Sequence, residues 1–169
     1  MSHRIVVCGA GEVGTHIAEL LAAKGDSVTV IDSNPERIVS LDESIDISTI
    51  TGSCTNAEIL RTAIGGEADL LVACTDQDEV NLLTCALAKH LGVRRTVARV
   101  EHRVFFESSG LDYAQCLGVD GMICPDYSTA QAIARLIRNP GAVAIEDLGQ
   151  DAVELQEFDA SDNAAAIGM

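Results

Sequence analysis

The chain has 169 residues, 47% hydrophobic and 22% charged, which suits one globular domain with a full core and excludes a disordered chain. Acidic residues outnumber basic ones 26 to 11, a formal net charge of -15 that repels phosphate backbones and argues against nucleic-acid binding. No apolar run reaches the ~18 residues of a membrane span, and Met1-Ser2-His3-Arg4-Ile5 leads straight into a strand pattern without a signal peptide. The expected place of work is therefore cytoplasmic, with no membrane insertion and any membrane contact made through a partner. Lysine is confined to Lys24 and Lys89; a salty cytoplasm and an ordinary acidic protein both fit.

In chain order, short β-branched runs alternate with longer helical stretches, the pattern of parallel βαβ units. Strands are expected at Arg4–Cys8, Ser27–Asp32, Ile47–Thr51, Asp69–Cys74, Thr96–Val100 and Gly121–Cys124. Val13–Lys24 reads as a helix with Val13, Ile17, Leu20 and Leu21 on one face. Pro35 opens a second helix behind the cap Asn34, and Thr55–Ala63 is a third. Glu79–Leu91 is apolar nearly all round, so it is either sandwiched in the core or pressed on another subunit. Tyr127–Arg138 is a further helix, ended by Asn139-Pro140-Gly141. Ala142–Asp147 and Ala152–Phe158 then flank Gly149-Gln150-Asp151 as a hairpin. The division expected is a main α/β domain over residues 1–140 and tail strands with a linker over 141–169.

The glycines after the first strand carry the chemistry. Gly9-Ala10-Gly11-Glu12-Val13-Gly14 follows Ile5-Val6-Val7-Cys8 directly and opens a helix, the setting in which Gly-x-Gly-x-x-Gly binds a dinucleotide. Gly9 permits the turn, Gly11 lets backbone meet a pyrophosphate, and Gly14 lets helix and strand pack closely. The helix N-terminus supplies free N–H groups to the phosphates. Asp32, ending the second strand, stands where an acidic side chain accepts from the adenosine ribose. Ser33 and Asn34 follow it rather than an arginine, which favours NAD or an adenine nucleotide over NADP. The fold implied is α/β, a Rossmann-like doubly wound parallel sheet with a short C-terminal hairpin.

Open parallel sheets bind ligands at the carboxyl ends of their strands, so Gly52-Ser53-Cys54-Thr55, Thr75-Asp76 and Arg99 are further candidates. Arg99 places a guanidinium at a buried strand end, either for a phosphate or for an ion pair with Glu101 or Asp76. Asp76 is equally placed to cap the helix beginning near Gln77. Asp126 could hold a divalent cation beside bound phosphates, although an acid before a helix is commonplace. The cysteines Cys8, Cys54, Cys74, Cys85, Cys116 and Cys124 have no zinc-site spacing, and Cys54 is the one placed for a redox contact. His102 is the histidine nearest the cleft, without a nucleophile motif beside it, and no catalytic residue is assigned.

Several stretches carry a family resemblance. Val30-Ile31-Asp32-Ser33-Asn34-Pro35-Glu36-Arg37, Ala68–Asp76 followed by Asp78-Glu79-Val80-Asn81, Thr96–Val100 and Ala130–Leu136 resemble the regulatory subunits of Trk-type potassium-uptake systems. The match runs from Arg4 to about Phe158 and includes the nucleotide-binding unit called the KTN or RCK N-terminal domain. The resemblance implies a nucleotide-sensing regulatory subunit that binds NAD(H), ATP or ADP and gates a membrane potassium translocator. It also implies a homodimer assembling into a ring and a further C-terminal domain. Carried over by position, Gly9, Gly11 and Gly14 contact phosphates, Asp32 takes the ribose, Arg99 reaches phosphates and Asp126 lies near a cation. Gly52-Ser53 departs from the family's usual Gly-Asp. An NAD-dependent oxidoreductase fragment, or an NAD-linked sensor of another partner, is the alternative that a glycine loop alone leaves open.

Overall fold

The computed structural model describes residues 2–106, 110–139, 142–148 and 153–158. Six parallel strands form one sheet in the order β3-β2-β1-β4-β5-β6. They are β1 (Arg4–Cys8), β2 (Ser27–Asp32), β3 (Ser48–Thr51), β4 (Leu70–Ala73), β5 (Arg95–Arg99) and β6 (Gly121–Ile123). The ends differ by one or two residues from the expected ones, the usual fraying of element boundaries.

Alternation along β1 shows why the sheet is covered on both faces. Val6 and Cys8 enter one core with Leu60, Ala63 and Ile64 of α3 (Ala57–Ile64) and Leu82, Cys85 and Ala88 of α4 (Asp78–His90). Ile5 and Val7 enter the other with Ala18 of α1 (Glu12–Ala23) and Ile38 and Leu41 of α2 (Pro35–Ser44). Side chains that alternate every residue need apolar partners above and below. Asn34 caps α2 as expected, its side chain accepting from Glu36 N–H at 2.8 Å, and Asn56 does the same for α3.

Two helix faces differ from expectation. In α1 the buried residues are Gly14 and Ala18, whereas Val13 is 41% and Leu20 54% exposed. Gly14 and Ala18 form the line of closest approach to the sheet, Ile17 and Leu21 pack beside them on the same core as expected, and Val13 and Leu20 are turned outward. In α4 the fully buried positions include Asn81 and Thr84 beside Leu82 and Cys85, and Asp78 is buried at the first turn. Leu87 and Leu91 pack on the same core, so of the four leucines only Leu83 stays exposed. The chain's own core thus covers most of this helix, which fits the sandwiched one of the two arrangements expected for it. A 3-10 turn at Arg103–Phe105 and the short helix α5 (Tyr113–Leu117) were not anticipated; Phe105 and Tyr113 meet edge to face, ring centroids 5.1 Å apart.

The chain divides into two compact units, Met1–Pro125 and Asp126–Met169. The second holds nearly all of α6 (Pro125–Arg138) and an antiparallel pair, β7 (Ala142–Leu148) with β8 (Val153–Phe158). That pair is the expected hairpin. Its turn, Gly149-Gln150-Asp151, and the tail Asp159–Met169 lie outside the described residues.

Candidate functional site

The strand order reverses between β1 and β4. Loops leaving these neighbours diverge to opposite faces, which opens a crevice at the carboxyl ends of the strands. A cavity of about 510 Å³ occupies it, within the range of small-molecule sites. Gly9, Gly11, Glu12 and Val13 line it from the glycine loop, and Asp32 and Ser33 from β2. Ser53, Cys54, Thr75, Asp76 and Arg99 reach it from the ends of β3, β4 and β5. Two sequence candidates lie elsewhere: Gly14 is buried and Ala10 faces an adjoining depression.

The three glycines of the loop differ in what they do. Gly9 has φ +106° and a Cβ there would lie 3.0 Å from the Cys74 carbonyl oxygen; at Gly14 it would lie 1.8 Å from the Gly9 carbonyl oxygen. These two serve the fold. Gly11 has φ -74° and ψ -175°, and a Cβ there meets no atom within 4 Å. Neither backbone strain nor neighbours require a glycine at that position. The open space beside the first turn of α1, whose N–H groups lack intrahelical acceptors, fits a pyrophosphate.

Asp32 is already at work within the protein. One carboxylate oxygen accepts from Ala10 N–H at 2.6 Å and the other from Asn34 N–H at 2.7 Å. The carboxylate therefore fixes the glycine loop against β2, and each oxygen keeps a lone pair for a ribose hydroxyl. Arg37, which the sequence reading named only within a family stretch and not as a site residue, brings Nη1 to 3.7 Å from Asp32 and lines the cavity. It comes from the first turn of α2, beyond the two residues after Asp32 on which the preference against NADP was based.

Across the crevice, the polar residues of α4 organise the rim. Asn81 Oδ1 accepts from Thr75 N–H at 2.8 Å and Thr75 Oγ1 at 2.7 Å, while Nδ2 donates to the carbonyls of Thr75 at 3.0 Å and Arg99 at 2.9 Å. Asp78 accepts from the N–H groups of Glu101 at 2.9 Å and His102 at 2.8 Å, and pairs with His102 Nδ1 at 2.7 Å. Burial opposes ionisation of Asp78, but these donors outweigh it and hold its carboxyl below the usual carboxylate range. The same hydrogen bond raises the His102 pKa. His102 is thus a partner of Asp78, outside the cavity lining. Asp76 does not cap α4: Gln77 is the N-cap residue, without a side-chain cap bond, and Asp76 is exposed on the cavity rim. Arg99 pairs with Glu101 and donates from Nη1 to the Thr75 carbonyl at 3.2 Å.

Cys54 is 6% exposed and accepts from Thr84 Oγ1 at 3.3 Å. A hydrogen bond with the Cys8 thiol, opposed by burial and aided by Thr84, lowers its pKa to about 6. Burial raises Cys74 to about 11 and Cys85 to about 12. Ser53 Oγ lies 2.8 Å from Thr55 Oγ1 and shapes its own turn. Asp126 is an exposed first-turn residue of α6 in the second unit. Among the described residues no His, Cys, Asp and Glu group has metal-binding geometry, and no helix is long and apolar enough to cross a membrane.

The family model described as the TrkA-N domain matches residues 5–125, the strands and loops that build this crevice. The chain belongs to the TrkA-N family. This TrkA-N domain is 38% identical over 172 residues to the Trk system potassium uptake protein trkA homolog 1 of Methanosarcina mazei, covering 98% of the chain and 41% of that protein. The Trk system potassium uptake protein TrkA homolog of Archaeoglobus fulgidus is also 38% identical, over 98% of the chain and 37% of its own length. The chain therefore spans about two fifths of these relatives. Among solved structures, the TrkA-N domain of the inner membrane protein ybaL from Escherichia coli superposes with a TM-score of 0.70 at 20% identity, over 81% of this chain and 98% of that one. The GsuK channel bound to NAD gives 0.65 at 17% identity, over 88% of this chain and 26% of that chain. GsuK bound to ADP gives 0.61 at 22% identity, over 79% and 33%. These likenesses confirm the Rossmann-like fold.

Proposed function

We infer that this TrkA-N domain is a nucleotide-sensing regulatory module of a potassium-uptake system, working in the cytoplasm beneath a membrane translocator. The observation that carries the reading is the unfilled space at Gly11, beside the α1 N-terminus and in the same cavity as Asp32. A glycine that the fold does not need, facing a helix start and an acidic side chain, fits a ligand with a pyrophosphate and a ribose. NAD(H), ADP and ATP all carry both groups, and the GsuK structures bound to NAD and to ADP support that pair of classes.

Asp32 takes the ribose hydroxyls, the α1 N-terminus takes the phosphates, and Arg99 lies at the far side of the cavity. The potassium-system partner is supported by the names of the relatives at 38% identity. Regulation follows from differential affinity: a nucleotide that binds one arrangement of the domains better shifts the population toward it, and the translocator responds to that arrangement. Leu83, exposed on α4, is the apolar contact this reading gives to a homodimer and, through it, a ring.

Isothermal titration with NADH, ADP and ATP tests the reading, with Gly11→Val alongside the wild type. Stoichiometric binding by the wild type and its loss in the variant are expected. A wild type that takes up none of the three, or a Gly11→Val protein of undiminished affinity, overturns it. Sedimentation of the wild type and Leu83→Lys tests the dimer; a monomer at every salt concentration in the presence of nucleotide removes that contact.

A further inference from the structure

Arg99 ends β5 and faces the nucleotide cavity with its side chain 23% exposed. Its three nitrogens are used unequally. Nη1 donates to the Thr75 carbonyl, Nη2 pairs with Oε1 of Glu101, and Nε is buried without a hydrogen-bond partner. Nε and Nη2 form one edge of the guanidinium, the edge that grips a carboxylate or a phosphate through two parallel bonds. Glu101 therefore fills half of a two-donor site. Its backbone N–H is pinned by Asp78, but its side chain is 45% exposed and is free to turn into solvent.

The sheet fixes which part of a ligand meets this edge. Asp32 ends β2 and Arg99 ends β5, with β1 and β4 between them. Three strand spacings of about 4.8 Å place the two ends roughly 14 Å apart. A nucleotide whose ribose lies at Asp32 thus brings its far end to Arg99. In a nucleoside triphosphate that end is a terminal phosphate, in a nicotinamide dinucleotide it is a second nucleoside, and a nucleoside monophosphate does not reach.

We propose that Glu101 is a specificity-determining residue, an internal anion on the Arg99 edge that a terminal phosphate has to displace. It weights the site against nucleoside triphosphates relative to dinucleotides and monophosphates. The inference rests on the nucleotide-binding reading above and adds to it a residue that discriminates between ligands of that class. Removing the Glu101 charge loosens its hold on Nη2, the one donor of the edge that it occupies, and takes an anion away from Arg99.

The test is isothermal titration of the wild type, Glu101→Gln, Arg99→Gln and the double variant with ATP, AMP and NADH. Glu101→Gln is expected to tighten ATP about tenfold, equivalent to about 1.4 kcal/mol, while AMP and NADH change by less than about threefold. In the Arg99→Gln background the same substitution should leave ATP unchanged. An ATP affinity that stays the same or falls in Glu101→Gln overturns the proposal. So does an equal gain for all three ligands, which would report only the relief of general negative charge, and so does a gain that survives without Arg99. A wild type that binds none of the ligands overturns the nucleotide-binding reading, and this inference with it. A wild type that binds them without ligand-selective change in Glu101→Gln overturns the inference alone.

Discussion

Replacing Asn81 by alanine removes one side chain that holds two loops. Its amide accepts from the Thr75 N–H and hydroxyl and donates to the carbonyls of Thr75 and Arg99, all at 2.7–3.0 Å and from a position with no exposure. A hydrogen bond of this kind contributes about 0.5–1.5 kcal/mol, and a buried group left without a partner costs about 1–3 kcal/mol. Thr75 is partly exposed and its carbonyl keeps the Arg99 Nη1 bond, so water and Arg99 offset part of the loss there. The Arg99 carbonyl has no such relief from Arg99 itself. The expected loss of stability is about 2–4 kcal/mol, a large share of the roughly 5–15 kcal/mol that holds a domain folded. Urea denaturation followed by circular dichroism measures it. Asn81→Asp sharpens the test, because it keeps the shape and the acceptors but turns a carboxylate toward two carbonyls. Its expected destabilisation is at least as large as that of Asn81→Ala. An Asn81→Ala protein within about 0.5 kcal/mol of wild type, the range of an ordinary surface change, would refute the reasoning. So would an Asn81→Asp protein of unchanged stability.

Gly14→Ala places a methyl group 1.8 Å from the Gly9 carbonyl oxygen, so α1 has to move off β1. A loss of at least about 1–3 kcal/mol, the scale of overpacking, is expected in thermal or urea melts, and wild-type stability would contradict the close approach. The Asp78–His102 pair gives a pH dependence with a definite sign. His102 has a raised folded-state pKa, so its contribution is fully present below its unfolded value and is lost as pH rises through the folded one. Asp78 has a lowered pKa, so its contribution is present above its unfolded value and is lost as pH falls through the folded one. An NMR titration of the His102 ring should show a midpoint above about 6.5, returning toward it in Asp78→Asn; a wild-type midpoint at or below that value would break the argument.

The sheet was legible because parallel strands buried on both faces demand continuous apolar β-branched runs, as in Ile5-Val6-Val7 and Val28–Ile31. The crevice at the strand ends was legible for a related reason. Gly9, Gly11 and Asp32 are placed by strand ends, and the spacing of strand ends is set by the chain itself. The α1 face was legible in part: Ile17 and Leu21 pack on the core, but Val13 and Leu20 are exposed, because the line of closest approach to β1 belongs to Gly14 and Ala18, which apolar size does not mark. Asn81 and Asp78 were read as parts of a family stretch rather than as buried anchors. Their value lies in backbone groups of distant loops that no periodicity reveals. Arg37 entered the cavity by the same route, because the Asn34 cap and Pro35 turn α2 so that its first-turn arginine comes back beside Asp32. Short elements such as α5 leave too few turns to establish a period.

The two side-chain clasps of the crevice sit on different elements, Asp32 at the end of β2 and Asn81 on α4. Asp32 ties the end of β2 to the loop after β1 through Ala10, whereas Asn81 ties the loop after β4 to the end of β5 through Thr75 and Arg99. Each clasp is complete in itself, and what joins them at the floor of the crevice is the β1–β4 ladder. The site thus has two braced walls whose separation is the pitch of the strands between them, fixed by the ladders of β2, β1, β4 and β5. The gauge of the crevice is therefore a property of the sheet itself, and a molecule touches both clasps only when its length spans it.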